Sequence, residues 1–270
     1  MKIGLLGTCR LASIRRHYSC ANFDDAISFV HSTKEVLQLL RFITRKMEIP
    51  DVINRFCFRT AILNRQPVVY SDSYMKQFDE TDLFVIEISS MTKYLFQGYY
   101  LHHLAVDKLF PFYEKSPQDV LLGTMQEYQE RSEIEKDIDD ILDLVSPRKV
   151  LLVSHINATL DTVEPYSRFS GLNAVANGIH RLLISTGLRK GETSFPSPIE
   201  KRIKLIEILR SIARDREIPF FEPTVIFKRY RQKKILQREP PGLPPSHYTD
   251  FGNKVMGRLY AEQITRITGF

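Results

Sequence analysis

A three-layer α/β/α fold around a mostly parallel central sheet is what this sequence predicts, and three features predict it. Short apolar runs at Lys2–Gly7, Asp82–Ile88 and Lys149–Ser154 suit strands covered on both faces. Stretches with apolar residues at helical spacing separate them. Polar residues able to do chemistry follow the strand ends, where open α/β sheets bind their ligands. With 270 residues, 43% of them hydrophobic and 26% charged, the chain can bury such a core as one domain spanning 1–270.

The opening strand is followed by Thr8-Cys9-Arg10 and by Leu11–Arg16, which reads as helical. Ala26–Val30 predicts a second strand. Lys34–Lys46 predicts an amphipathic helix with Val36, Leu37, Leu39, Leu40 and Ile43 inward, Ser32 or Thr33 as its cap and Pro50 closing it. Pro67–Tyr70 suggests a short strand. After Asp82–Ile88, residues 91–118 are rich in Tyr, Phe and His, including Tyr99-Tyr100-Leu101-His102-His103. Adjacent histidines point to opposite faces of a strand and diverge by about 100° on a helix. A metal site is one reading of that stretch; the plainer one, a partly exposed aromatic insertion able to wall a cleft, is preferred, and no metal ligand is expected.

Gln126–Val145 predicts a helix with Ile134, Ile138, Ile141, Leu142 and Val145 on one side and its acidic run as a solvated face. Lys149–Ser154 delivers His155-Ile156-Asn157 to the sheet edge. Helices are expected over Gly171–Ser185 and Pro198–Arg216, an interrupted strand over Phe220–Phe227, and a last helix over Asp250–Ile267. Pro240–Pro245 reads as a constrained loop. Residues 91–147 read as an aromatic and helical insertion, and the lesser alternative is a two-domain split with that insertion as the second unit.

Net charge is +6, a basic balance that hints at anionic ligands. No arginine-glycine tract or aromatic RNA-binding motif accompanies it, which disfavours a nucleic-acid partner. Cys9, Cys20 and Cys57 form no CxxC pair, so neither a disulfide framework nor a zinc signature is expected. Reduced thiols fit a cytoplasmic protein. Met1-Lys2 leads straight into the first strand, predicting no signal peptide, and no apolar run is long enough to span a bilayer.

Three stretches carry chemistry. Gly7-Thr8-Cys9 follows the first strand, His155-Ile156-Asn157 follows a central strand, and Ser246-His247-Tyr248-Thr249-Asp250-Phe251-Gly252 precedes the last helix. A cysteine at a helix N-terminus beside Arg10 is biased toward the thiolate. Each residue has a plainer reading as well. Cys9 could be a small core residue, Asn157 a turn or cap residue, and His247 a loop residue bonded to backbone.

This arrangement resembles the SGNH/GDSL hydrolase superfamily, including its branches with a Gly-Ser-Cys opening. The resemblance implies Cys9 at the nucleophile position, Asn157 as oxyanion donor and His247 as base. The His-x-x-Asp-x-Gly pattern of His247, Asp250 and Gly252 fits the element that leads into the final helix. Cys replaces the usual Ser, His155 replaces the Gly of Gly-x-Asn, and Pro244 stands where an Asp three residues before the histidine is expected. A looser similarity links Thr8-Cys9-Arg10 to the Asn-Cys-Gln opening of capsular-polysaccharide acetyltransferase-like proteins.

The resemblance implies acyl-ester chemistry, hydrolysis or acyl transfer, on a carbohydrate or similar hydroxyl-bearing substrate. Arg10, His155 and Asp250 are expected to bind substrate. Hydrolysis requires no cofactor; transfer implies coenzyme A as acyl donor. Basic clusters at Arg10, Arg15, Arg16 and His17 and at Lys228–Lys234 would favour its phosphates if they border the cleft. The rivals are a non-catalytic ligand-binding protein of the same fold and, behind it, a nucleic-acid-binding module using residues 228–234.

Overall fold

The computed structural model describes residues 1–20, 29–106, 117–157, 198–238 and 247–269. The helix expected at Gly171–Ser185 and the Pro240–Pro245 loop, Pro244 included, lie outside the described residues. Strand β1 (Lys2–Leu6) leads into a 3₁₀ helix at Cys9–Arg16, followed by β2 (Ser19–Cys20). Helices α1 (Thr33–Ile43), α2 (Asp51–Cys57), α3 (Arg59–Asn64) and α4 (Asp72–Asp79) precede β3 (Leu83–Ile88). Strands β4 (Thr92–Phe96) and β5 (Tyr99–Tyr100) follow, then α5 (Gln118–Gly123) and β6 (Met125–Tyr128). Helix α6 (Arg131–Val145) leads to β7 (Lys149–Ser154). The described C-terminal elements are α7 (Pro198–Asp215), β8 (Phe220–Phe221), a 3₁₀ turn at Pro223–Lys228, α8 (Gln232–Ile235) and α9 (Asp250–Thr268).

The main sheet has the order β2-β1-β3-β7-β8, and every pair in it is parallel. With helices on both faces this is the expected three-layer fold, in a doubly wound strand order whose ligand site lies at the carboxyl ends of the strands. Side-chain alternation divides the core. Phe84, Ile86 and Ile88 of β3 join Leu6, Val150 and Leu152 against α1, α6 and α7. Leu83 and Val85 point the other way, with Ile3, Leu5, Leu151 and Val153, onto Leu11 and Ile14 of the 3₁₀ helix and Met256, Tyr260 and Ile264 of α9. Each of these buried side chains contributes on the order of 1.5–3 kcal/mol relative to exposure. Both faces of β3 are therefore filled, which is why its sequence is almost continuously apolar.

Several elements depart from expectation for identifiable reasons. Leu11–Arg16 belongs to a tighter 3₁₀ helix that starts at Cys9, and the Ser13 hydroxyl donates to the Arg10 carbonyl at 3.2 Å within it. Of the strand expected at Ala26–Val30, residues 26–28 lie outside the described residues and Phe29 bridges Gly7 in parallel; the short β2 at Ser19–Cys20 pairs with the start of β1. Pro67–Tyr70 forms no strand, because the Asn54 side-chain amide satisfies the backbone of Val68 from both sides, at 2.7 and 3.2 Å. Met125–Tyr128 pairs antiparallel with β4, so the helix expected from Gln126 begins at Arg131. Its acidic run is not wholly solvated. Asp137 is buried and accepts from the Thr33 hydroxyl and Lys34 ammonium, both at 2.7 Å, tying α6 to the start of α1.

The start of α9 is fixed by close packing. Thr249 caps the helix, its hydroxyl accepting from Gly252 N–H at 2.9 Å. A Cβ at Gly252 would fall 2.2 Å from the Ile235 carbonyl oxygen, so only glycine lets α9 approach α8 this closely. Tyr248 makes an antiparallel bridge with Leu236, and the Gln237 N–H donates to the His247 carbonyl at 2.8 Å. With the Thr249 N–H donating to the Ile235 carbonyl at 2.9 Å, the bridge's two backbone bonds hold the segment that carries His247.

Candidate active site

The carboxyl end of β1 is organised by a residue in the next strand. Glu87 of β3 alternates onto the same face as Leu83 and Val85, toward the 3₁₀ helix rather than α1. It is 1% exposed. Its Oε2 accepts from the Thr8 N–H at 3.0 Å and from the Thr8 hydroxyl, and its Oε1 accepts from Arg10 Nε at 2.9 Å. One buried carboxylate therefore grips the residues on either side of Cys9. Gly7 allows this, since a Cβ there would lie 2.6 Å from the Glu87 Cβ.

Cys9, held between those anchors, is exposed. It lines a cavity of about 300 Å³ together with Arg10, Ser13, Arg16, His247 and Tyr248. Burial alone would raise its thiol, but the hydrogen bond to His247 and the charge of Arg10 outweigh it, and the thiol lies below its ordinary 9.0. Arg10 stays charged in turn: burial opposes its charge, and the Glu87 carboxylate beside it more than restores it. Alkylation of Cys9 by iodoacetamide is thus expected to persist below the pH range of an ordinary thiol. Its midpoint should move upward in His247→Ala, because the bond to the thiolate is lost while desolvation remains. A midpoint indifferent to that substitution would refute the pairing.

The other expected site residues are placed as follows. Asn157 lies beyond the carboxyl end of β7, at the same sheet edge as Cys9 with β3 between the two strands. Its N–H donates to the Thr224 hydroxyl at 3.0 Å, and its buried Oδ1 has no hydrogen-bond partner among the described residues. Arg10 is in the cavity wall, though its guanidinium is turned to Glu87. His155 is buried with its Nδ1 against the Ile156 carbonyl, and burial pushes its pKa well below the ordinary range, so the ring is neutral. Asp250 is exposed at the first turn of α9. The cavity lining contains none of Asn157, His155 and Asp250. Of the two basic clusters, the first reaches the cavity through Arg10 and Arg16, whereas 228–234 contributes nothing to its lining.

Glu87 is the residue that sequence reasoning missed. The signal was present, a lone carboxylate inside an otherwise apolar strand, but the strand alone does not say what it pairs with. His31 was missed as well. It joins His102 and His103 as the group among the described residues whose ligating atoms could hold a metal ion.

Residues 1–119 match the family model described as the TviD N-terminal domain. That match includes Cys9, Arg10 and Glu87 and ends before Asn157 and His247. The chain is 24% identical over 266 residues to the Vi polysaccharide biosynthesis protein TviD of Salmonella typhi, an alignment that covers 94% of this chain. It spans 30% of that relative's length. Among solved structures, an aryl esterase of M. smegmatis in its inhibitor-bound form aligns with a TM-score of 0.40 and 12% identity, covering 98% of this chain and 99% of that one. Est24, a carbohydrate acetylesterase from Sinorhizobium meliloti, aligns with a TM-score of 0.40 and 11% identity over 98% of each chain. Likenesses this distant leave the chemistry to be argued from the residues. Among the described residues, no helix is long and apolar enough to cross a membrane.

Proposed function

We propose that this protein performs SGNH-like acyl-ester chemistry through Cys9, as an esterase or O-acyltransferase acting on a carbohydrate hydroxyl. The observation that carries the reading is the hydrogen-bonded pair of Cys9 and His247 in one cavity, with Arg10 favouring the thiolate. A thiolate beside a protonated imidazole is an activated nucleophile. Its sulfur attacks the acyl carbonyl carbon, and the oxyanion is stabilised by N–H groups at the start of the 3₁₀ helix and by the Asn157 side chain. Each such donor typically contributes about 3–4 kcal/mol to the transition state.

Collapse of the tetrahedral intermediate breaks the bond to the leaving group, which departs with the proton from His247. Cys9 is left as an acyl thioester. His247, now neutral, takes the proton of an incoming hydroxyl as that oxygen attacks the thioester carbon. The acylated product leaves and the thiolate is restored beside the imidazolium. Water as acceptor gives hydrolysis and a sugar hydroxyl gives transfer. The polysaccharide-biosynthesis name of the relative favours the sugar, and Arg16 in the cavity wall suits the phosphates of coenzyme A as the donor's carrier.

The experiment is intact-mass analysis after incubation with acetyl-coenzyme A and, separately, with an aryl acetate. An acetyl mass on Cys9 that disappears when an oligosaccharide acceptor is added supports the transferase. Loss of the adduct to water, without need of acceptor, selects the esterase. No adduct from either donor, together with normal ligand binding by Cys9→Ala, would establish the non-catalytic binding protein instead.

A further inference from the structure

A second cluster of reactive side chains sits beyond the carboxyl end of β3, outside the cavity at Cys9. His31 precedes α1, while His102 and His103 follow β5. Adjacent histidines diverge in a strand or an α-helix, but here His102 caps a 3₁₀ turn that begins at His103, and the two rings lie 4.4 Å apart at 32°. His31 closes the set from another part of the chain. Its ring centroid is 4.5 Å from that of His103 and 5.2 Å from that of His102. Ligating atoms of all three lie within 4.8 Å of one another.

We infer that His31, His102 and His103 form a binding site for a divalent transition-metal ion of the zinc class, with water completing a tetrahedral set. Three imidazoles and one solvent position is an established coordination for zinc. Metal–nitrogen bonds of about 2.0–2.1 Å place ligand nitrogens roughly 3.3 Å apart, which small side-chain rotations reach from the present spacing. His31 and His103 are half-buried, so the ion has a route in, whereas His102 forms the floor.

Ser89 supplies one outer contact of the kind a metal site uses. The Ser89 hydroxyl donates to the His31 carbonyl at 3.5 Å, leaving its oxygen to accept from His31 Nδ1–H at 3.1 Å. That bond orients the ring and leaves the lone pair on Nε2. His102 Nε2 is buried and has no hydrogen-bond partner among the described residues. Because the Leu104 N–H donates to His102 Nδ1 at 3.2 Å, the ring's proton sits on Nε2. Coordination through Nε2 therefore moves that proton to Nδ1 and breaks the Leu104 hydrogen bond, a cost that the metal–nitrogen bond has to exceed. Behind His31, the Glu35 carboxyl accepts from the His31 N–H at 3.3 Å and from the Ser32 hydroxyl at 3.1 Å, fixing the backbone that carries the ring. Arg10 and Arg59 are cations acting on His31, and Arg59 acts on His102 as well, so both oppose the charge that the ion adds. The ion would clasp the segment before α1 to the loop after β5.

The test titrates Zn²⁺ into the full chain carrying Cys9→Ser and His247→Ala, which removes the other thiol–imidazole pair able to take the metal. Calorimetry is expected to show one ion per chain. Co²⁺ is expected to give the visible bands of a tetrahedral site without thiolate charge transfer. His31→Asn and His103→Asn should each weaken binding by about 100-fold or more, exceeding what loss of an outer contact costs, and should abolish a Zn²⁺-dependent rise in Tm. Should His31→Asn not fold, the half-buried His103→Asn carries the comparison. Absence of saturable binding in the parent, or binding unchanged in the His103→Asn variant, overturns the inference. None of these readouts depends on acyl chemistry at Cys9.

Discussion

Replacing Cys9 with alanine is expected to lower acyl turnover by about 10⁴-fold or more, with ligand binding retained. His247→Ala is expected to cost about 10²- to 10⁴-fold, the usual contribution of a positioned acid–base group. The two act as a unit. Without the sulfur there is no proton for the imidazole to take and no thiolate for it to stabilise, so the double variant should be no slower than Cys9→Ala alone. Steady-state release of free coenzyme A thiol, or of aryl alcohol for the esterase, measures all three variants, and calorimetry with substrate measures binding. Effects that multiply in the double variant would show that the pair does not act together, despite sharing the cavity. Full turnover in Cys9→Ala would remove the enzymatic reading altogether.

Glu87→Gln is expected to destabilise the fold by about 3–5 kcal/mol, because it leaves the Arg10 guanidinium buried without its counter-charge. Arg10 and Glu87 side chains are 6% and 1% exposed, so solvent cannot take over from the lost partner. For a chain of this size that corresponds to a fall in Tm of roughly 6–20 °C. Replacing both partners with apolar residues of similar volume, Arg10→Met with Glu87→Leu, should recover much of that loss, since the desolvation cost disappears with the charges. Reactivity should follow a different order. Arg10 lowers the Cys9 thiol and Glu87 raises it, so Arg10→Met should shift alkylation to higher pH and Glu87→Gln should not. Thermal melts and alkylation rates on the same variants separate the two effects. Glu87→Gln melting like the parent would mean that the buried pair does not hold the turn.

How far the site was legible in the sequence differs from residue to residue. Cys9 stood out because a strand end, a helix start and Arg10 are consecutive in the chain. Ser32 as the cap of α1 was visible for the same reason, and its hydroxyl does accept from Glu35 N–H. Val68 was misread because its backbone is satisfied by Asn54, fourteen residues away, and apolar character alone does not reveal that partner. Glu87 was visible only as an irregularity in a strand. The histidine cluster was set aside on a local geometry, strand or α-helix, that the 3₁₀ turn at His103–Ala105 does not have.

Local and periodic properties were therefore written in the chain: buried strands at β1, β3 and β7, amphipathic helices between them, and a thiol delivered to a sheet edge. These depend on spacing of 2 or about 3.6 residues, which a linear text records. What only the tertiary structure decided were the meetings of distant residues. Glu87 grips Thr8 and Arg10 across 79 and 77 positions, and His31 comes within ring contact of His103. Those pairings follow from the parallel β1–β3 register and from how α1 and the loop after β5 pack on the sheet. They are set by burial of the whole core, and no segment carries them alone.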